Sequence, residues 1–93
     1  SFVSVTLAAE PALLLANDTS EAVLLIKPQF EVGRVGVGKG GLVTDQSLIE
    51  STLKRITMWF NNLDGWQITS LTKSPITGGD GNQEYLLCGK RSL

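Results

Sequence analysis

The chain has 93 residues, 42% of them apolar and 18% charged, with a mean hydropathy of +0.11. That is one domain or less of globular composition, not the profile of a disordered chain. A net charge of −1 excludes a strongly basic nucleic-acid footprint, and one cysteine with no histidine excludes an internal disulfide, Cys/His zinc sites and histidine-based nucleophile systems.

Phe2-Val3-Ser4-Val5 is rich in strand-forming residues and predicts a short first strand. Thr6 then caps a helix over Leu7 to Ala16, where Pro11 is tolerated only near the first turn. Asn17 to Ser20 is a polar stop. Glu21 to Ile26 follows as an apolar run ending at Lys27-Pro28, the pattern of a parallel strand buried on both faces. Residues 29 to 43 hold five glycines in fifteen positions and predict a long irregular connection.

Thr44 or Asp45 caps the clearest element. Leu48, Ile49, Thr52, Leu53, Ile56, Trp59, Phe60 and Leu63 fall on one helical stripe, and Asp64-Gly65 ends it. Trp66 to Leu71 resumes strand character. Lys73 to Gln83 is turn-rich, and Glu84 to Cys88 is a final strand. The expected fold class is α/β, with about four strands, two helices in right-handed crossovers and an antiparallel last strand. No apolar run exceeds five residues, where a membrane helix needs roughly 20, and no signal peptide is visible. The free cysteine favours a reducing compartment, so a cytoplasmic location is expected.

Several constellations invite chemistry. Gly33 to Lys39 matches G-x-x-x-x-G-K, but Gly40 stands where a phosphate loop needs Ser or Thr, and the helix starts several residues later. Lys27 is the sharper signal. It ends a strand at the carboxyl edge of an α/β sheet, where ligands bind. A lysine desolvated there can serve as a base; its bland reading is a side chain that snorkels to solvent. Glu84 is a candidate carboxylate at the start of the last strand, or an ordinary solvated one. Arg34 and Lys39 are candidates to touch phosphates, or solubility charges on a loop. Trp59 and Phe60 belong to the core stripe, whereas Trp66 is either core or a stacking platform. Cys88 reads as a small buried apolar group.

Leu25-Ile26-Lys27-Pro28-Gln29-Phe30-Glu31-Val32-Gly33-Arg34, then Val37-Gly38-Lys39-Gly40-Gly41, then Asp45, resembles the central signature of the hemolysin A (TlyA-type) family. Ser74-Pro75-Ile76-Thr77-Gly78 and Gly81-Asn82-Gln83-Glu84-Tyr85-Leu86-Leu87 resemble its C-terminal signature. Ser1 to Val5 resembles the segment after the family's Asp-x-Ser-Phe motif. The resemblance runs in collinear order over essentially the whole chain.

It implies an FtsJ-like ribosomal RNA 2′-O-methyltransferase domain with a Rossmann-like fold, using S-adenosylmethionine. Lys27 falls on the third member of that group's Lys-Asp-Lys-Glu tetrad and Glu84 on the fourth. The first two members, the glycine-rich cofactor motif and a small N-terminal RNA-binding domain have no counterpart. Residues 1–93 therefore resemble the C-terminal part of the catalytic domain. With RNA as the implied substrate, Arg34 and Lys39 are the candidates to contact its phosphates, and the chain alone would bind no cofactor and be inactive.

A ribose 2′-hydroxyl is a weak nucleophile and needs a base and in-line positioning as it attacks a sulfonium methyl. Lys27 would accept or steer its proton, and Glu84 would fix the lysine. A base must be neutral, whereas a nearby carboxylate favours the ammonium, so orienting the hydroxyl is the alternative role. Two other functions compete. One is a non-enzymatic fragment that binds RNA or a partner, with self-association through the exposed first strand. The other is hemolysin-like membrane damage, against which the long helix carries only Lys54 and Arg55 on its polar face.

Overall fold

The computed structural model describes residues 3–93. Helix α1 spans Val5–Leu15 and strand β1 Glu21–Ile26. Two short helices follow, α2 at Pro28–Glu31 and α3 at Gly33–Gly36, then a 3-10 turn at Lys39–Gly41. Helix α4 covers Gln46–Asn61, strand β2 Trp66–Lys73, a second 3-10 turn Gly79–Gly81 and strand β3 Tyr85–Arg91. The fold is α/β, but its sheet has three strands in the order β1-β3-β2. Both outer strands pair antiparallel with β3, so they run parallel to each other without touching.

The expected fourth strand does not form among the described residues. Val3 and Ser4 are not in a strand, and Val5 already begins α1; Phe2 lies outside the described residues. Local strand propensity is a weak prior, and capping overrides it here. Ser4 rather than Thr6 is the N-cap: its Oγ accepts from Thr6 N at 3.2 Å. Pro11 sits well inside α1, where it removes one hydrogen-bond donor. Both Pro11 and Leu7, whose carbonyl that donor would serve, are exposed, so water can reach the freed oxygen.

Helix α1 is fastened largely by distant side chains. Trp59 Nε1 donates to Glu10 Oε1 at 2.8 Å, and Trp66 Nε1 to Leu13 O at 2.9 Å. The buried Arg91 guanidinium donates to Leu14 O and Ala16 O, at 3.2 and 2.6 Å, and so caps the carbonyl end of the helix.

The stripe on α4 lies where its 3.6-residue period places it. Ile49, Thr52, Ile56 and Phe60 are buried, and Asp45 caps the helix by accepting from Leu48 N at 3.2 Å. The helix stops at Asn61, four residues before the left-handed Gly65, because Asn62 already caps it; Leu63 is buried beyond its end. The core joins Leu13 of α1, Ile56 and Phe60 of α4, Leu63, Trp66 of β2, Ile26 of β1 and Leu87 of β3. Trp66 is thereby a core residue and not a stacking platform.

Both long helices share one face of the sheet, with Ala22, Leu24 and Ile26 turned towards them. The alternate residues Val23 and Leu25 are 66% and 42% exposed. The expectation of a strand buried on both faces is corrected: β1 is covered on one face, as its period of two requires when helices pack on one side. The glycine-rich connection is also more regular than expected. Pro28 opens α2 at a position that needs no N–H, and Gly33, at φ 72°, separates the two short helices.

Candidate functional site

The site lies at the carboxyl end of β1. Ile26 and Tyr85 are the last facing pair of the antiparallel register, and Lys27 and Glu84 each lie one residue beyond it. The two candidates, far apart in sequence, thus lie at the same end of the β1–β3 pair. Their side chains form no ion pair among the described residues. Lys27 Nζ instead sits 5.1 Å from the centroid of the Phe30 ring, within cation–π range. Glu84 is buried and is not the solvated carboxylate of its bland reading. Its Oε2 accepts from Gln29 Nε2 at 2.9 Å. Gly78 packs so closely on this carboxylate that a Cβ there would strike it.

An open cleft of about 840 Å³ runs from this edge. Lys27, Gln29, Phe30 and Arg34 line one side; Gly41, Gly79 and Asp80 line another. Arg34 is exposed on α3 and faces the cleft, whereas Lys39 is exposed on the adjacent turn and does not line it. Gln29 and Asp80 did not stand out in the sequence. The signal for Gln29 was its place in Lys27-Pro28-Gln29-Phe30, where Pro28 at the first helical position fixes the turn that aims its amide.

Two glycine turns form the rim, and they are near copies of each other. Gly38 N donates to Leu42 O at 2.7 Å and Gly41 N to Gly38 O at 3.1 Å. Gly78 N donates to Asn82 O at 2.8 Å and Gly81 N to Gly78 O at 3.1 Å. Gly40 and Asp80 occupy the same left-handed position, at φ 74° and 62°. Aspartate tolerates that region better than most side chains. Asn82, buried, ties one turn to the other: its Oδ1 accepts from Val43 N at 3.0 Å and its Nδ2 donates to Gly41 O at 2.8 Å.

The far end of α2 is also held. The Glu31 carboxylate accepts from Ser4 Oγ at 2.7 Å, Val5 N at 2.8 Å and Arg55 Nη2 at 3.0 Å. Lys27, Gln29 and Phe30 therefore stand on a turn anchored at both ends.

The described residues make no cradle of the kind S-adenosylmethionine requires in a Rossmann-like fold, a glycine turn joining a strand directly to a helix. The amides of Gly38, Gly41, Gly78 and Gly81 are spent within their own turns. No cluster of His, Cys, Asp or Glu among the described residues is placed to hold a metal ion. No helix among them is long and apolar enough to cross a membrane.

This arrangement has relatives. YqxC of Bacillus subtilis (strain 168), a candidate rRNA methyltransferase by its name, is 44% identical over 87 residues, covering 94% of this chain and 31% of its own length. The 16S/23S rRNA (cytidine-2′-O)-methyltransferase TlyA of Mycobacterium tuberculosis (strain ATCC 25618 / H37Rv) is 36% identical over 94% of this chain and 32% of its own. A solved structure from Lactococcus lactis, titled as a candidate hemolysin, superposes with a TM-score of 0.87 at 37% identity, covering 97% of this chain and 42% of that one. The chain thus spans about a third of the length of the curated relatives it matches. The description FtsJ-like methyltransferase matches residues 2–91, and the chain belongs to that family.

Proposed function

We propose that residues 1–93 form the C-terminal part of the catalytic domain of an S-adenosylmethionine-dependent ribosomal RNA 2′-O-methyltransferase and supply the substrate side of its site. The observation that carries this reading is that Lys27 and Glu84 each lie one residue beyond the last facing pair of β1 and β3, in a chain of the FtsJ-like family. The name of TlyA, a (cytidine-2′-O)-methyltransferase, supports the choice of a ribose hydroxyl as acceptor.

Each residue has a role on the substrate. Lys27 reaches the ribose 2′-hydroxyl from the end of β1 and takes or steers its proton. Glu84, fixed by Gln29 and Gly78, restricts where the lysine can go. Arg34 contacts an RNA phosphate from the cleft wall, and Lys39 contacts one further along the rim. Residues 3–93 hold no cradle for the methyl donor, so no step involving it is assigned to them.

The test is the complete product of the gene that encodes this chain, incubated with ribosomal RNA and methyl-labelled S-adenosylmethionine. Nucleoside mass spectrometry should find a 2′-O-methylated ribonucleoside. Lys27→Ala should lower kcat by about 10²-fold or more, the range of positioned proton-transfer groups. Transfer to a base atom, or full activity of Lys27→Ala, overturns the reading.

A further inference from the structure

We propose that Gln29 is a positioning residue that joins Lys27 to Glu84 through its amide, keeping the two charges apart by a neutral spacer instead of a closed ion pair. The proposal rests on the reading of Lys27 and Glu84 given above.

An amide side chain is polar at both ends: its NH₂ donates and its oxygen accepts. The donating end of Gln29 is occupied, with Nε2 2.9 Å from Glu84 Oε2. The accepting end is not. Gln29 Oε1 is buried and has no hydrogen-bond partner among the described residues. A buried acceptor left unmade is costly and calls for an explanation. Lys27, two residues earlier on the same edge, has the complementary need. Its ammonium makes no hydrogen bond or ion pair among the described residues and rests over the Phe30 ring. Both groups line the same cleft.

The surroundings hold Gln29 in place for this work. Pro28, fully buried, fixes the backbone before it, and Glu31, with three hydrogen bonds, fixes the turn after it. Glu84 is walled in by Gly78. The register ends one residue short of both, which leaves Glu84 at the same sheet end as Lys27, so without the amide the two charges are free to close into a direct pair. With it, Nζ moves from the Phe30 ring onto Oε1 when a ribose enters. One N–H then engages the amide and the others remain for the 2′-hydroxyl. The chain of contacts is Lys27 Nζ to Gln29 Oε1, then Gln29 Nε2 to Glu84 Oε2.

Two measurements on the complete gene product test this. Kinetically, Gln29→Leu should lower kcat for RNA methylation by about 10- to 100-fold, the size expected of lost positioning, with KM for RNA within about twofold. Its melting temperature should stay within a few degrees, because the variant also deletes the orphan acceptor; a structural role predicts the reverse pattern. Gln29→Asn, one methylene short of Glu84, should lose kcat alike and serves if the leucine variant does not fold.

Structurally, a crystal structure of either variant should show Lys27 Nζ and Glu84 in a direct ion pair. Lys27 still over Phe30, or unchanged kcat per folded molecule, overturns the proposal. So does a rise in KM for RNA alone, which would make Oε1 a reader of substrate. If Lys27→Ala is inactive and the variants show no collapse, only the bridge fails. If the variants collapse and no methyl transfer is found, the bridge stands and the activity reading fails.

Discussion

At the scale of single residues, the chain relies on a few buried polar groups that each serve several partners. Glu31 accepts from two groups at the start of α1 and from Arg55, and its side chain is 1% exposed. Glu31→Ala should cost about 2–3 kcal/mol in urea unfolding, since it strands a backbone donor and a guanidinium together. Arg55, half exposed at 49%, should cost under about 1 kcal/mol when replaced by Ala, as water screens its pair. Equal losses would mean that the ion pair and not the helix cap matters. Gly89 offers a second check. A Cβ there would strike the Phe60 ring, so Gly89→Ala should lose about 1–3 kcal/mol by overpacking, and Phe60→Leu in the same molecule should restore part of it. None of these dependencies is legible in the sequence. Glu31 reads as one more charge near a glycine run, because its partners come from α1 and α4 and have no fixed spacing from it.

Elements were legible in proportion to their periodicity. The stripe on α4 repeats often enough to be decisive, and its cap at Asp45 follows from residue type alone. Strands β1, β2 and β3 stand within a few residues of their expected positions, since apolar runs bounded by turn residues leave little choice. The Lys27–Glu84 edge followed from the expected antiparallel pairing. Residues 29–43 are more regular than their glycine content predicts, because Pro28 just before them, Glu31 through its bonds to α1 and α4, and Asn82 from the second turn impose short helical turns. Val3 and Val5 stand outside a strand because the serine between them caps α1, which outweighs their β propensity. The twin turns make their own prediction. Asn82→Ala removes the tie between them, and the Val43 amide, its partner at 3.0 Å, should exchange with solvent at least about tenfold faster, the factor that corresponds to 1.4 kcal/mol of lost protection. Unchanged exchange at Val43 would show that the turns hold each other without Asn82.

At the scale of the molecule, the functional edge is complete on one side only. The cleft brings together Lys27, Gln29, Arg34 and Asp80, while the glycine turns spend their amides internally. Isothermal titration of the 93-residue chain with S-adenosylmethionine should therefore give no binding in the micromolar range. A saturable heat there would show that the rim or the cleft forms a cofactor cradle by rearrangement.

The strand order β1-β3-β2 has a consequence for synthesis. The sheet's middle is the strand the ribosome delivers after the other two. Until Tyr85–Arg91 emerges, β1 and β2 have no common neighbour, and neither hairpin pairing nor a parallel ladder can hold them in advance. Within residues 3–93, a nascent chain cut before Tyr85 thus lacks the one strand that pairs with both β1 and β2. It should be captured by chaperones or degraded, because strands left unpaired are aggregation hazards. Arg91, at the end of that same strand, also closes α1. Closure of α1 and joining of β1 to β2 therefore both wait on translation of β3.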